Sequence, residues 1–293
     1  MRIALAYVFI ILLWATTPLA IKWSAEGSSF IFGVTARMSI GLICILLMLL
    51  LSRQSLPWHS KARQTYFAIA IQIYGAMMAV YWGAQFIPSG WVSVIFGLSP
   101  FITALLTALW LGEQSLTWDK LLAYLFGVGG LALIFSTAIQ MSLQSVLGIL
   151  SILLAVCLQT LSAVWVKRLQ AKLSALTQVS GGLIFATPLY LMTWWLIDGV
   201  IPTTLPTHSL LSILYLGLIA TPIGFALYYY ILTHLAPTRV ALITLISPVL
   251  ALFLGYYLNN EVLTVKIIAG TGLILCALLI HSFVGRIRSK RAD

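Results

Sequence analysis

A chain of 293 residues that is 61% hydrophobic and only 8% charged cannot close into a soluble domain, because soluble domains carry about 25% charged residues and a water-facing surface needs them. The net charge of +10 would suit nucleic acid. The basic residues, however, lie in short links between apolar runs, as they do where charge fixes orientation in a bilayer, so nucleic acid is excluded as a partner and lipid is selected.

Met1-Arg2 followed by Ile3 to Ile21 has the outline of a signal peptide. The apolar run is too long and no A-x-A site follows, so it reads as a retained first span. A helix needs about 20 apolar residues to cross, and ten such runs follow one another: 4–22, 30–51, 65–86, 90–111, 118–137, 146–166, 175–197, 210–232, 238–258 and 265–284. The runs are continuous, unlike the alternating ten-residue strands of a membrane barrel, so helices are expected throughout. With the N-terminus in the cytoplasm, one side collects Arg2, Arg53, Lys61, Arg63, Lys120, Lys167, Arg168, Lys172, Arg239, Arg286, Arg288, Lys290 and Arg291. The other collects Lys22 and Lys266, and Arg37 falls within the second span. This asymmetry predicts both termini on the cytoplasmic side, and the short links point to a bacterial inner (plasma) membrane protein.

The chain also repeats itself. Ser99-Pro100 precedes Glu113 and Ser247-Pro248 precedes Glu261, each proline thirteen residues before its glutamate. Leu116-Thr117 and Leu263-Thr264 follow, Tyr81-x6-Pro88 parallels Tyr230-x6-Pro237, and the first and sixth spans end on Lys22 and Lys167. The expected units are residues 1–140 and 143–293, the second with a basic cytoplasmic tail. Five spans per unit, an odd number, make the second unit enter from the opposite side. Inverted repeats of this kind are recurrent in secondary transporters, with the site near the midplane between the halves.

The stretches Leu13-Trp14-Ala15…Lys22, Ser99-Pro100…Gly112-Glu113 and Ser247-Pro248…Glu261 resemble the duplicated EamA domain of the drug/metabolite transporter superfamily. The resemblance spans essentially the whole chain. It implies a ten-span, basket-like fold whose central cavity is lined mainly by helices other than the fifth and tenth, and members that export amino acids and related metabolites. One departure is that Asn259-Asn260 precedes the second glutamate where Gly112 precedes the first.

Within the spans, Pro18 in Trp14-Ala15-Thr16-Thr17-Pro18 removes a helical hydrogen bond, and it serves either as a packing kink or as an opening of backbone polar groups toward a ligand. Pro100 and Pro248, at equivalent mid-span places, read as paired hinges. Tracing faces at helical spacing groups Trp14, Thr17 and Pro18; Tyr74, Met78, Tyr81 and Gln85; Ser93, Phe96, Pro100, Thr103 and Thr107; Gln159, Ser162 and Trp165; Thr221, Phe225 and Tyr228; and Thr244, Ser247 and Pro248. Polar groups avoid lipid, so these faces turn inward, either as interhelical glue or as the wall of a site with aromatic sides, hydroxyls and two amides. Such a wall suits a small zwitterion or a moderately apolar amino acid. Trp58, Trp91, Trp110, Trp118, Trp194 and Trp195 lie near span ends and read as an interfacial belt.

Arg37 either draws a substrate carboxylate, snorkels to the surface or braces carbonyls. Glu113 and Glu261 are expected to anchor helix ends. No carboxylate stands at mid-span, which argues against a proton relay and for facilitated diffusion or exchange. Gly127-Val128-Gly129-Gly130 lacks the strand and the GK[ST] of a phosphate loop; with Gly270 and Gly272 it reads as close packing in the fifth and tenth spans, at a peripheral or dimer face, so the chain is expected as a monomer or homodimer. Cys44, Cys157 and Cys276 show no metal or disulfide spacing, and no cofactor is expected. The expected function is therefore outward transport of a small organic metabolite, an amino acid or related compound. The alternatives are drug or cation efflux, metabolite import, and an intramembrane enzyme, for which no paired acids, HxxxH or GxSxG sequence is present.

Overall fold

The computed structural model describes residues 2–112, 121–240, 243 and 246–292, and among these no strand occurs. Fourteen α-helical elements follow one another: α1 (Arg2–Ser24), α2 (Phe30–Leu51), α3 (Ser60–Ala70), α4 (Met77–Gly83), α5 (Ser89–Phe96), α6 (Ser99–Leu111), α7 (Leu121–Met141), α8 (Leu143–Leu169), α9 (Ala175–Ile197), α10 (Thr207–Tyr215), α11 (Pro222–His234), α12 (Pro237–Val240), α13 (Ser247–Asn259) and α14 (Val265–Ala292). Among the described residues, eight helices or continuous helical stretches are long and apolar enough to cross a membrane, and Val265–Ile280 is a shorter apolar helix. Their outer faces carry leucine, isoleucine and valine in the open, such as Leu51, Val128 and Ile197. Water would not tolerate such a surface, whereas lipid tails do.

Short side chains set the helix ends. Ser29, Ser142 and Ser174 stand at the N-caps of α2, α8 and α9, and each hydroxyl accepts from the backbone N–H three residues on, relieving one unpaired donor. α6 ends on Gly112 and α13 on Asn260, both left-handed at φ 67° and 51°. Asparagine, like glycine, tolerates that conformation, so the Asn259-Asn260 departure leaves the helix end unchanged.

Two spans contain π-helical turns, Ile71–Ala76 between α3 and α4 and Leu216–Ala220 between α10 and α11. Such turns insert one residue into the helix and cluster at functional sites. Pro100 and Pro248 do not kink a continuous helix as expected. Each occupies the first turn of a new one, α6 and α13, the position where proline's missing N–H costs nothing.

α7 and α14 lie side by side along one flank. Their backbones touch where a Cβ on Gly130 would fall 2.5 Å from the Gly270 carbonyl oxygen. The glycine contact expected of these spans is thus made within the chain by Gly130 and Gly270, while Gly127 admits the Phe101 ring and Gly272 faces open space. On the remaining side α2 and α3 pack on α9, α4 and α6 on α8, α5 on α13, and α1 on α10, α11 and α13. Trp91 is corrected as well: at 2% exposure it is buried in the first turn of α5 rather than interfacial, whereas Trp195 is 72% exposed.

Candidate functional site

Inside this bundle lies a partly open cavity, with about 70 Å³ free to the centre of a water molecule. Its wall draws on α1, α2, α4, α5, α8, α11, α13 and both π-turns, and on neither α7 nor α14. Of the expected residues it unites Trp14, Thr17, Pro18, Arg37, Ser93, Phe96, Gln159, Phe225 and Ser247. Gln72, Met77, Val80 and Val92 also line it.

Glycines bring the far wall together. A Cβ on Gly41 would fall 2.5 Å from the Thr221 methyl, and one on Gly217 would fall 2.8 Å from Ile40. Because both lack it, α2 seats directly on the second π-turn, and Arg37 Nε donates to Thr221 Oγ1 at 2.8 Å. Arg37 is 3% exposed, and its guanidinium carbon sits 5.9 Å from the centroid of the Tyr81 ring. Arg37 therefore faces inward, and the snorkelling option does not apply.

On the first π-turn, Gln72 Oε1 accepts from the Tyr229 hydroxyl at 2.7 Å, and the Ser162 hydroxyl lies 3.5 Å behind that hydroxyl. Tyr228 stands behind the cavity wall with its ring 5.3 Å from that of Trp14. Tyr81, Ser162 and Tyr228 thus support lining residues instead of forming the wall themselves.

Tyr74, Trp165 and Met78 lie elsewhere, and Gln85, Thr103 and Thr107 are also outside the lining. The Tyr74 hydroxyl is 2.7 Å from Thr193 Oγ1 and its ring abuts Tyr190. Trp165 meets Phe67 edge-on at 6.1 Å, and Met78 packs against the apolar core. Pro100 and Pro248 sit outside the lining, next to Ser99 and Ser247. Thr244 and Glu113 fall outside the described residues.

At Pro18 the neighbouring threonines bond back to the preceding turn. Thr17 Oγ1 donates to the Leu13 carbonyl at 2.5 Å, and Thr16 Oγ1 to those of Leu12 and Leu13. The carbonyl that loses its helical partner to Pro18 is that of Trp14, four residues earlier, so an acceptor is left on a residue of the cavity wall.

One rim of the bundle is tied by Glu261. Its carboxylate accepts from Ser89 N at 2.8 Å and Gly90 N at 3.4 Å, at the start of α5, and it lies 3.8 Å from Lys22 Nζ. Asn259 Nδ2 donates to it at 2.9 Å, and the Asn259 oxygen accepts from Trp23 Nε1. This is the anchoring role expected of Glu261: Pro88, at the cap position, offers no side-chain acceptor, and a carboxylate at a helix N-terminus offsets the exposed N–H groups. Lys22 Nζ also donates to Ile87 O at 3.1 Å, and Lys167 Nζ to Leu232 O at 3.0 Å and Leu235 O at 3.2 Å.

Comparison with known proteins adds the following. The EamA-like transporter family matches residues 1–136 and again 146–283. An uncharacterized transporter of Bacillus subtilis, YoaV, is 25% identical over 285 residues, which is 96% of this chain and 97% of that protein. An uncharacterized transporter of Archaeoglobus fulgidus is 25% identical over 91% of this chain and 94% of its own length. Protein PagO of Salmonella typhimurium is 22% identical over 94% and 93%. A solved structure described only as the crystal structure of a protein shares the fold with a TM-score of 0.72 at 17% identity, covering 98% of this chain and 97% of its own.

Proposed function

Since the chain belongs to the EamA-like transporter family, we propose that it carries a small organic metabolite, an amino acid or related compound, out of a bacterial cell across the inner membrane by alternating access. The observation that carries this reading is the cavity itself. Residues from both sequence repeats (Trp14, Ser93 and Phe96 from the first, Gln159, Phe225 and Ser247 from the second) converge on one space, where Phe96 ends α5 and Ser247 starts α13. Broken helices around a central site are how transporters present polar backbone at membrane depth.

The two units are read as inverted five-helix repeats with both termini cytoplasmic. Supporting this, Lys22 reaches the carbonyl 65 residues on in one unit, and Lys167 reaches the carbonyl 65 residues on in the other. The π-turns also begin at Ile71 and Leu216, the same 145 residues apart as the two lysines. The Ser174 hydroxyl meets Gln54 Oε1 at 2.5 Å, which fits two loops assigned to the same cytoplasmic face.

Coupling to protons is read as absent, with flux following the cargo gradient or an exchanged partner. The described acids stand at the rims: Glu26 beside His208, Asp198 accepting from Ser29, and Glu261 beside Lys22. None is among the cavity residues.

The test is counterflow in proteoliposomes with a panel of labelled amino acids, with and without an imposed pH gradient. The expected result is accumulation of one class, indifferent to the gradient and reduced at least tenfold by Trp14→Ala. Counterflow of none of them would remove amino acids as cargo, and a requirement for the pH gradient would overturn the uncoupled mechanism.

A further inference from the structure

A guanidinium buried at membrane depth is costly unless an opposite charge or full hydrogen bonding compensates it. Arg37 has neither within the described residues. Thr221 engages only Nε, Nη1 is buried without a partner, and the described acids are held at the rims. Gln72, in the same lining, repeats the pattern. Its Oε1 is taken by the Tyr229 hydroxyl, and its Nε2 is buried without a partner. Among the residues that line the cavity these are the two buried side-chain polar atoms without partners, and both are N–H donors.

We infer that Arg37 and Gln72 form an anion subsite that receives the carboxylate of the cargo. Its chemistry follows from the parts. A guanidinium fixed through Nε keeps its two Nη groups for an incoming oxyanion, and charge-assisted bonds of this kind are about twice as strong as neutral ones. Trp14, Phe96 and Phe225 give the same cavity an apolar side, suited to an aliphatic or aromatic body. The cargo class is thus small carboxylic acids, amino acids with a free carboxylate included, and it excludes amines and cations that lack one. Binding supplies the missing counter-charge, so the empty cavity carries a cost that a carboxylate removes. The inference rests on reading this cavity as the cargo site.

The test uses matched pairs that differ only at the charged end: 3-phenylpropanoate against 3-phenylpropanamide, and phenylalanine against phenylalaninamide. Thermal unfolding of the full chain in detergent, at constant ionic strength, gives their apparent affinities, since a ligand that binds the folded state raises its melting temperature. The acids are expected to bind roughly tenfold or more tighter than their amides. Arg37→Gln should abolish that preference, and Gln72→Leu should weaken it. Equal stabilisation by acid and amide in the unaltered protein overturns the subsite and needs no variant to fold. Counterflow in vesicles of the same preparation separates the two failures. Exchange of an amine or a sugar with no effect of the acids overturns the subsite alone, and exchange of nothing, with no ligand stabilising the protein, overturns the cargo cavity as well.

Discussion

Glu261 shows how one side chain can join distant parts of the chain, because its carboxylate closes α5 from a loop 171 residues away. Glu261→Ala leaves the Ser89 and Gly90 amides without their acceptor and Lys22 without its counter-charge, which should cost about 1–2 kcal/mol. Lys22→Met removes a part-exposed ion pair and one donor to Ile87, and should cost about 1 kcal/mol or less. Thermal unfolding in detergent compares the two directly, and a larger loss in Lys22→Met would show that the carboxylate does not hold α5. At this scale the sequence was partly legible. Charges inside an apolar chain stand out, so Arg37 and Glu261 were visible as positions. Arg37's inward direction was not, because it depends on Gly41 and Gly217 admitting α2 to the second π-turn.

The helical elements themselves follow from hydrophobic length, and eight of the expected spans recur, among the described residues, as helical stretches long and apolar enough to cross a membrane. Which face turns inward is harder, because lipid-facing and core-facing residues are equally apolar. The third span shows how that went wrong. Counting by three and four from Tyr74 gives Met78 and Tyr81, but the cavity is lined by Gln72, Met77 and Val80. The π-turn is the reason: Met77 N donates to Gln72 O across five residues, which shifts the helical phase by about one position. Nothing in Ile71-Gln72-Ile73-Tyr74-Gly75-Ala76 marks that extra residue. The α7–α14 contact offers a paired test. Gly130→Ala puts a methyl against the Gly270 carbonyl and should destabilise by about 1–3 kcal/mol. Gly272→Ala meets nothing within 4 Å and should stabilise by up to about 1 kcal/mol through helix propensity. Equal shifts in unfolding temperature for the two would contradict this packing.

For the whole molecule, alternation requires the rim formed by Trp23, Asn259 and Glu261 to open and close. Trp23 Nε1 donates to Asn259 Oδ1 at 2.9 Å, so this rim is joined in the state described. In a background with Cys44, Cys157 and Cys276 replaced, Trp23→Cys with Asn259→Cys, bridged by a short reversible thiol cross-linker, should reduce counterflow at least tenfold, and reduction should restore it. Unchanged flux after complete cross-linking would mean that this rim does not move during transport. The overall architecture was the most legible level. Ser99-Pro100 and Ser247-Pro248 each stand at a helix start and Glu261 holds the start of α5, whereas the residues that fill the cavity carry no comparable spacing.

The two lysine clasps also differ. Ile87 is followed at once by Pro88, but Leu232 and Pro237 are separated by four residues, and Lys167 reaches two carbonyls there where Lys22 reaches one. A duplicated machine with identical halves would rest equally in either orientation. Four additional residues at one clasp remove that equivalence, and a difference of only about 1.4 kcal/mol would already place ten molecules in one resting state for each one in the other. On the alternating-access reading proposed above, the protein would then wait on one side of the membrane. On the uncoupled reading, that waiting position would set which compartment the vacant cavity samples first, while the cargo's own concentrations would set the net direction of travel.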